Sequence, residues 1–230
     1  MSLLNNLVAY YKLDDPNDAL GLNNLTNVNS VTFDSGVIGN CADLTPSNTN
    51  KTLKTSSTYG MTYNSPRSIS CWVNMPVLPT GTNLWVVFAL IFNTSPGNYT
   101  PILYHGTNGW EDGTSTLIGG TALPNTWYHV VTVVDWVGGT IKTYINNLLV
   151  ATHATFSGNF AANTGGFSIG QQTNVWWGSV KVDEVGIWNR VLTSTEVTQL
   201  YNSGVGLQYP FTVTPPPTAN TNQAFFAYFN

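Results

Sequence analysis

The chain has 230 residues, of which only 8% are charged, and its net charge at pH 7 is −4. Its seven Lys and Arg residues are scattered singly, which argues against a nucleic-acid partner, because proteins that bind nucleic acid carry a basic stripe or patch. No run of ~18 apolar residues is present, so we expect no membrane-spanning helix.

Short β-type segments separated by turn residues recur along the chain. They are Leu7–Leu13, Val31–Asp34, Cys41–Leu44, Ser68–Asn74, Trp85–Phe92, Ile102–His105, Ser115–Ile118, Trp127–Asp135, Thr140–Ile145, Leu148–Ala154, Gly166–Gly170 and Ser179–Trp188. A dozen strands with one helix predict an all-β fold, an antiparallel two-sheet sandwich with one short C-terminal helix.

The segment Trp127–Asp135 is apolar on both faces, so it predicts a central strand that is covered on both sides. Asn146-Asn147 lies between the next two segments, and Asn tolerates the positive φ angles of a type I′ turn. We therefore expect a two-residue hairpin there.

The run from Val180 to Ile187 changes its alternation at Asp183-Glu184, which predicts a β-bulge at these two carboxylates. The helix follows, because Thr193-Ser-Thr-Glu196 fits a capping box and Gly204 provides a stop.

The two cysteines, Cys41 and Cys71, lie in predicted strands. Two cysteines are too few for a disulfide scaffold, which favours free, buried thiols over a bridge. The N-terminus has no basic region ahead of its apolar residues, so either the chain is not exported by a signal peptide or the signal was removed.

The composition changes after residue 205, which divides the chain into a domain at 1–205 and a tail at 206–230. Consecutive prolines at 215–217 favour an extended spacer. Four aromatic residues follow within the last six, namely Phe225, Phe226, Tyr228 and Phe229. The tail either folds back onto its own domain or docks into a neighbouring subunit or a larger assembly.

Aromatic and amide side chains in two predicted loops suit sugar recognition, because rings stack on apolar sugar faces and amides bind hydroxyls. The candidates for glycan binding are Trp110, Trp176, Trp177, Gln172 and Asn174. The alternative is that one of the adjacent tryptophans points inward as part of the core.

Five segments, taken in order, resemble the laminin-G-like, pentraxin-like branch of the concanavalin A-type jelly rolls. They are Leu7-Val-Ala-Tyr-Tyr-Lys-Leu-Asp-Asp15, Gly36-Val-Ile-Gly-Asn-Cys-Ala-Asp-Leu44, Ser68-Ile-Ser-Cys-Trp-Val-Asn74, Trp127-Tyr-His-Val-Val-Thr-Val-Val-Asp135 with its hairpin, and Val182-Asp-Glu-Val-Gly-Ile-Trp-Asn-Arg-Val-Leu192. The resemblance implies a jelly roll, and also a structural calcium near Asp14 or Asp15 and Asp183. Alternatively, Asp183 caps a turn or pairs with Lys181.

Retaining glycosidases of this superfamily carry Glu-x-Asp-x-x-Glu on one strand, and none of the three glutamates here, Glu111, Glu184 and Glu196, fits that pattern. The three histidines also lack the neighbours of known catalytic motifs. We therefore expect no enzymatic activity.

These features predict a non-catalytic module for surface recognition and assembly. The 27 asparagines, the charge-poor surface and the aromatic tail suggest a bacteriophage virion protein, such as a capsid decoration, head-fibre or tail-associated protein. Its partners would be other virion or self subunits through the tail, with weak binding of cell-surface glycans. The alternative is an extracellular bacterial carbohydrate-binding module of a larger secreted protein.

Overall fold

The computed structural model describes residues 2–46, 49–92, 98–112, 118, 120–154, 165–172 and 176–212. Within these residues two antiparallel sheets, of eight and six strands, face each other, and a two-stranded hairpin accompanies them. The architecture is the predicted jelly-roll sandwich.

The eight-stranded sheet has the order β12-β11-β10-β6-β16-β4-β3, with β1 also paired to β16. Its strands are β1 (Leu7–Tyr11), β3 (Thr32–Ser35), β4 (Asn40–Asp43), β6 (Arg67–Asn74), β10 (Trp127–Asp135), β11 (Thr140–Ile145), β12 (Leu148–Ala154) and β16 (Lys181–Trp188).

The six-stranded sheet has the order β2-β5-β13-β7-β8-β9. Its strands are β2 (Thr26–Val28), β5 (Thr52–Thr55), β7 (Leu84–Phe92), β8 (Asn98–His105), β9 (Gly109–Asp112) and β13 (Gly166–Ile169), and the hairpin joins β14 (Gln171–Gln172) to β15 (Trp176–Trp177).

The main core lies between the two sheets, where alternate side chains of each strand point inward. Ile69, Cys71 and Val73 of β6 meet Phe88 and Leu90 of β7 in this layer, and all five are completely buried. Burial of this kind contributes about 25 cal/mol per Å² of apolar surface and dominates the stability of the fold.

A second apolar layer covers the outer face of the eight-stranded sheet. The single α-helix among the described residues, α1 (Ser194–Tyr201), packs its Val197 and Leu200 against Val131, Val133 and other residues of this face. The sheet is thus buried on both sides at β10, as its two apolar faces predict. No helix within the described residues is long and apolar enough to cross a membrane.

Local signals in the sequence are confirmed where they were strongest. The strands β10, β11 and β12 have the predicted bounds, and Asn146 and Asn147 both adopt positive φ, of 48° and 67°. The capping box of Thr193 and Glu196 is present. The helix ends at Tyr201, because Asn202 already adopts the left-handed conformation at the C-cap, two residues before the predicted stop at Gly204.

Other elements differ from the prediction. Five strands were not predicted, namely β2, β5, β9, β14 and β15. Most of the predicted strand Ser115–Ile118 lies outside the described residues. Cys41 and Cys71 are free and buried, as expected, and burial raises the pKa of both thiols, that of Cys41 to about 12.

Candidate functional site

The predicted bulge lies in β16 between Asp183 and Gly186, where the register with β6 shifts. Glu184 takes a positive φ of 51°, which lets Val182 and Val185 both enter the core although they are three residues apart. The two successive carboxylates, Asp183 and Glu184, therefore both lie within the bulge.

Asp183 is completely buried. Its Oδ2 accepts hydrogen bonds from the amides of Val37 (2.7 Å) and Ile38 (3.1 Å), whereas its Oδ1 has no hydrogen-bond partner among the described residues. Burial, together with the charge of Glu184, raises the pKa of Asp183 to about 8, although the backbone amides of Ile38, Val37 and Glu184 act to lower it. Lys181 does not pair with Asp183, as one alternative held, but with Asp34 and Asp43.

Glu184 accepts hydrogen bonds from two side chains, the hydroxyl of Tyr10 and the amide of Gln208, the latter at 2.6 Å. Burial raises the pKa of Glu184 to about 7, although both hydrogen bonds act in the opposite direction. Burial and the Glu184 charge raise the pKa of Tyr10 well above its usual value. This carboxylate therefore connects the first strand, the last strand and the segment that follows the helix.

We call residues 205–211 the C-terminal strap. Leu207 and Phe211 pack into the apolar layer on the outer face of the eight-stranded sheet. The ring centroid of Tyr10 lies 5.8 Å from that of Tyr209 and 5.3 Å from that of Phe211. The packed part of the chain therefore continues beyond residue 205, and the strap holds Tyr209 at the surface.

An open cavity of about 350 Å³, which we call the acidic pocket, lies beside Tyr209. Its lining consists of Lys12, Asp14, Asp15, Asn17, Ala19, Tyr209 and Pro210. Hydrogen bonds fix both carboxylates. Asp14 Oδ1 accepts from the backbone N–H of Asn40, and Asp15 Oδ1 accepts from the backbone N–H of Asn17, each at 2.7 Å.

Asp18 organises the loop that forms the pocket wall. Its buried carboxylate accepts hydrogen bonds from the amides of Tyr10, Leu20, Leu22 and Asn23, at 3.0 to 3.3 Å. A carboxylate with several amide donors holds a loop rigidly. Asn17 is exposed and Lys12 is half-buried, and both line the pocket, so their side chains can reach a ligand there.

The pocket combines one aromatic ring, two carboxylates, one amide and one ammonium group. Such a set can stack on an apolar sugar face while accepting and donating hydrogen bonds to hydroxyls. Sequence reasoning selected Asp14 and Asp15 for a metal and missed Lys12, Asn17 and Tyr209. The Tyr209-Pro-Phe run was assigned to the spacer, because its contact with Tyr10 is not visible in the sequence.

The structure places the predicted glycan-binding residues differently. Trp110 is a core residue of β9 with 1% of its surface exposed, and the expectation of an exposed ring there was wrong. Gln172 is also buried, and Trp177 is half-buried. Asn174 and the side chain of Trp176 lie outside the described residues. The described part of this group therefore offers little accessible surface.

Two of the predicted calcium ligands bind the same loop, at residues 36–40. Asp14 accepts a hydrogen bond from the backbone N–H of Asn40, and Asp183 accepts from those of Val37 and Ile38. The free Asp183 Oδ1 is the kind of oxygen that a cation takes, but the described residues contain no cluster of three His, Cys, Asp or Glu side chains. Because calcium takes six to eight oxygens, backbone carbonyls would have to complete such a site.

The remaining acidic pair, Glu111 and Asp112, lies in β9, where neighbouring side chains point to opposite faces. Glu111 is buried and accepts a hydrogen bond from Asn108 at 2.9 Å, and Asp112 lies 3.5 Å from His153. The aromatic tail residues Phe225, Phe226, Tyr228 and Phe229 lie outside the described residues.

Comparison with known proteins agrees with this architecture. Residues 47–198 match the laminin-G-type family model of the concanavalin A-like lectin/glucanases superfamily. The chain belongs to this superfamily. No curated protein sequence is similar enough to be counted as a relative.

Solved structures show the same lectin-like fold. Domain 4 of AbnA, a GH43 extracellular arabinanase from Geobacillus stearothermophilus solved with arabinotriose, is 23% identical with a TM-score of 0.58, covering 84% of this chain and 97% of that domain. A mutant sialidase of Trypanosoma rangeli displaying trans-sialidase activity is 14% identical with a TM-score of 0.66, covering 88% of this chain and 34% of the sialidase.

The receptor-binding domain of a botulinum neurotoxin, mosaic serotype C/D, is 15% identical with a TM-score of 0.61. The match covers 88% of this chain and 52% of that domain. This member of the concanavalin A-like superfamily therefore spans about a third of the sialidase, half of the toxin domain and nearly all of the arabinanase domain.

Proposed function

We propose that this protein is a non-catalytic carbohydrate-recognition module and that its acidic pocket binds a neutral oligosaccharide. The observation that carries the proposal is the position of Tyr209, whose ring stands beside Asp15 and Asn17 in an open cavity. An aromatic platform next to fixed hydrogen-bonding groups is the arrangement that orients a sugar ring.

The charge of the pocket supports a neutral ligand. Two carboxylates outnumber the single ammonium of Lys12, so a uronic or sialic acid would meet like charge, which costs binding free energy. A carboxylate oxygen accepts hydrogen bonds from hydroxyls, and neighbouring sugar hydroxyls can bind both of its oxygens.

The fold supports the same class of function. Domain 4 of the arabinanase AbnA was solved with arabinotriose, a neutral oligosaccharide. At 23% identity this similarity supports only the fold, but it makes arabinotriose a reasonable first probe. A panel of other neutral oligosaccharides completes the search.

The test is isothermal titration of each oligosaccharide into the full chain and three variants. Tyr209→Ala and Asp15→Asn should each weaken binding at least tenfold, which corresponds to about 1.4 kcal/mol. Trp177→Ala is the matched control, because it removes an aromatic ring outside the pocket and should leave affinity unchanged. The absence of binding to any neutral oligosaccharide, or equal affinity in all variants, would overturn the proposal.

The non-catalytic part of the proposal has its own measurement. Incubation of the protein with each oligosaccharide that it binds, followed by chromatography, should return the intact ligand. Release of shorter sugars would show that the module hydrolyses its ligand, and Glu111→Gln and Asp112→Asn would then be the first variants to examine.

Assembly into a bacteriophage virion remains a proposal that rests on the sequence. The charge-poor composition and the aromatic tail support it, and the extracellular carbohydrate-binding module is the alternative. Co-sedimentation of the protein with phage particles, compared with a chain that ends at Thr212, separates the two. Tail-dependent association favours the virion, whereas a free monomer that binds glycans favours the extracellular module.

A further inference from the structure

A second cavity, of about 200 Å³, adjoins the C-terminal strap, and we call it the neutral groove. Its apolar lining includes Leu4, Leu207, Pro210 and Phe211, and its polar lining consists of Ser2 and Gln199. No charged side chain lines it within the part of the chain that the structure describes. Leu4 is 51% exposed, and Ser2 and Gln199 are also exposed, so a ligand can reach the groove from the solvent.

The neutral groove and the acidic pocket are neighbours, because Pro210 lines both cavities. The residues on either side of Pro210 contribute one aromatic ring to each cavity, Tyr209 to the acidic pocket and Phe211 to the groove. The two ring centroids lie 5.8 Å apart, and the angle between the ring planes is 88°. A ligand that extends from the acidic pocket over Pro210 therefore meets a second aromatic ring.

Contacts with the sandwich hold both rings in place. The centroid of Phe211 lies 5.3 Å from that of Tyr10 in β1 and 6.3 Å from that of Trp188 in β16, and Tyr209 contacts Tyr10 as well. The backbone N–H of Phe211 also donates a hydrogen bond of 2.7 Å to the carbonyl of Gln208. Because the rings are fixed before a ligand arrives, stacking on them costs little conformational entropy.

The size and chemistry of the neutral groove suit one unit of a longer sugar chain. Sites that enclose a whole small molecule usually measure roughly 300–1,000 Å³, so a groove of about 200 Å³ holds only part of such a ligand. A sugar ring combines an apolar face with hydroxyls at its edge, and the groove combines apolar side chains with a hydroxyl and an amide.

We propose that the neutral groove is a second subsite for the ligand of the acidic pocket, an inference that rests on the function proposed for that pocket. The bound species is then a neutral oligosaccharide that spans both cavities. One of its units stacks on Tyr209, and a unit further along the chain lies against Phe211 and Leu4. Ser2 and Gln199 bind the hydroxyls of this second unit, because a hydroxyl and an amide can both donate and accept.

The angle between the two rings determines which chains fit. A sugar unit lies parallel to the aromatic ring on which it stacks, so units on Tyr209 and Phe211 must be turned by nearly a right angle relative to each other. A flat chain such as cellotriose cannot turn in this way, whereas a chain with flexible linkages such as arabinotriose can. The pair of rings should therefore select twisted or bent chains.

The first experiment is isothermal titration with arabinose, arabinotriose and cellotriose. Arabinotriose should bind the full chain about tenfold more tightly than arabinose, and cellotriose should bind no more tightly than a monosaccharide. Gln199→Ala should weaken arabinotriose binding about fivefold, the effect of one lost hydrogen bond, and leave the affinity for arabinose unchanged. Thr195→Ala, an exposed substitution in the same helix that lies outside the groove, is the matched control and should change neither affinity.

A second measurement locates the additional sugar unit on the protein. In leucine methyl NMR spectra arabinotriose should shift the signals of Leu4 and Leu207, whereas arabinose should leave both in place. Leu123, which is 62% exposed and lines neither cavity, should not respond to either sugar.

The outcomes separate the second subsite from the sugar site itself. Equal affinity for arabinose and arabinotriose, with both lost in Tyr209→Ala, would retain the acidic pocket and overturn the second subsite. Unchanged Leu4 and Leu207 signals with bound arabinotriose would also overturn it, and tight binding of cellotriose would contradict the selection of turned chains. If no neutral oligosaccharide bound at all, the function proposed for the acidic pocket and the second subsite would both be wrong.

Discussion

Gln208 of the C-terminal strap donates a hydrogen bond of 2.6 Å to Oε1 of Glu184 at the bulge of β16. The Tyr10 hydroxyl binds the other carboxylate oxygen and also reaches the Leu207 carbonyl at 3.3 Å. Since Glu184 is only 4% exposed, water cannot easily replace either donor. The bulge therefore fixes the segment that carries Tyr209.

The effects on stability of substituting Glu184 and Gln208 should be strongly coupled. Glu184→Ala removes the carboxylate that the buried Tyr10 hydroxyl and the half-buried Gln208 amide bind, and it should cost about 3 kcal/mol of unfolding free energy. Gln208→Ala should cost about 1.5 kcal/mol. In the double variant the costs should fall short of their sum by about 1 to 2 kcal/mol. Urea unfolding gives the free energy of unfolding of the unsubstituted protein, the two single variants and the double variant. Additive costs would show that the hydrogen bond between Glu184 and Gln208 contributes nothing to stability.

Arg190 joins the helix to the N-terminal residues. Its guanidinium binds both oxygens of Glu196, at 2.7 and 2.9 Å, and the carbonyls of Ser2 and Asn5. Glu196→Ala should cost about 3 kcal/mol, because it leaves a buried charge without its partner and removes the capping box. Thermal unfolding checks this against Thr195→Ala, an exposed substitution in the same helical turn, and equal melting temperatures would contradict it.

His129 should make the protein less stable in acid. It is 1% exposed, and burial lowers its pKa to about 3, whereas the unfolded chain has a value near 6.5. Between these values the unfolded state binds the extra proton, so the free energy of unfolding falls as the pH decreases below 6.5, by up to roughly 1.4 kcal/mol per pH unit. His129→Phe should show a shallower pH slope in urea unfolding, and identical slopes would refute the assignment.

Asp183 should have the opposite effect when no divalent cation is present. Its pKa of about 8 exceeds that of an unfolded aspartate, so the folded state binds the extra proton and stability falls as the pH rises from about 4 to 8. Asp183→Asn should reduce this dependence. The measurement is the melting temperature in chelator at pH 5 and pH 8.

Calcium tests whether Asp183 is a metal ligand or a protonated carboxyl group. If Asp183 binds the ion, calcium should raise the melting temperature of the unsubstituted protein at pH 8 and leave Asp183→Asn unchanged. A melting temperature that does not respond to calcium would remove the metal site from consideration and leave a protonated Asp183.

Trp110 should behave as a core residue. Its ring makes edge contacts with Tyr104 and Tyr128, with centroids 5.2 and 5.8 Å away. Trp110→Ala should cost about 3 to 5 kcal/mol of stability, whereas Trp177→Ala, at a half-buried position, should cost less. If Trp110→Ala left stability unchanged but abolished sugar binding, Trp110 would instead be an exposed residue of the binding site.

Sequence patterns predicted the fold where the signals are local. An apolar run on both faces predicted β10, and two asparagines predicted the hairpin from β11 to β12. The capping box of Thr193 and Glu196 predicted the start of α1. The strand β9 escaped prediction because Trp110 lies among glycines, and pairing of Trp110 with Tyr104 of β8 creates the strand. Such pairing is a tertiary contact that propensity does not contain.

The candidate site was only partly predictable for the same reason. Asp14 and Asp15 were selected from the sequence as calcium ligands, whereas the ring that completes the pocket around them comes from Tyr209, nearly 200 residues later. Its position depends on Glu184 and Tyr10, and no spacing in the sequence connects these residues. Two adjacent carboxylates indicated a bulge but not the strap that it holds.

The antiparallel pairing of Leu7 with Trp188 joins β1 to β16, strands separated by most of the chain. During translation β1 is synthesised before β16, so it cannot form this pairing until residues 181–188 have left the exit tunnel. Contacts between such distant residues slow folding, and the early strands remain exposed while they wait. Completion of this sheet must therefore wait for β16, and the strap with its tyrosine leaves the ribosome after it.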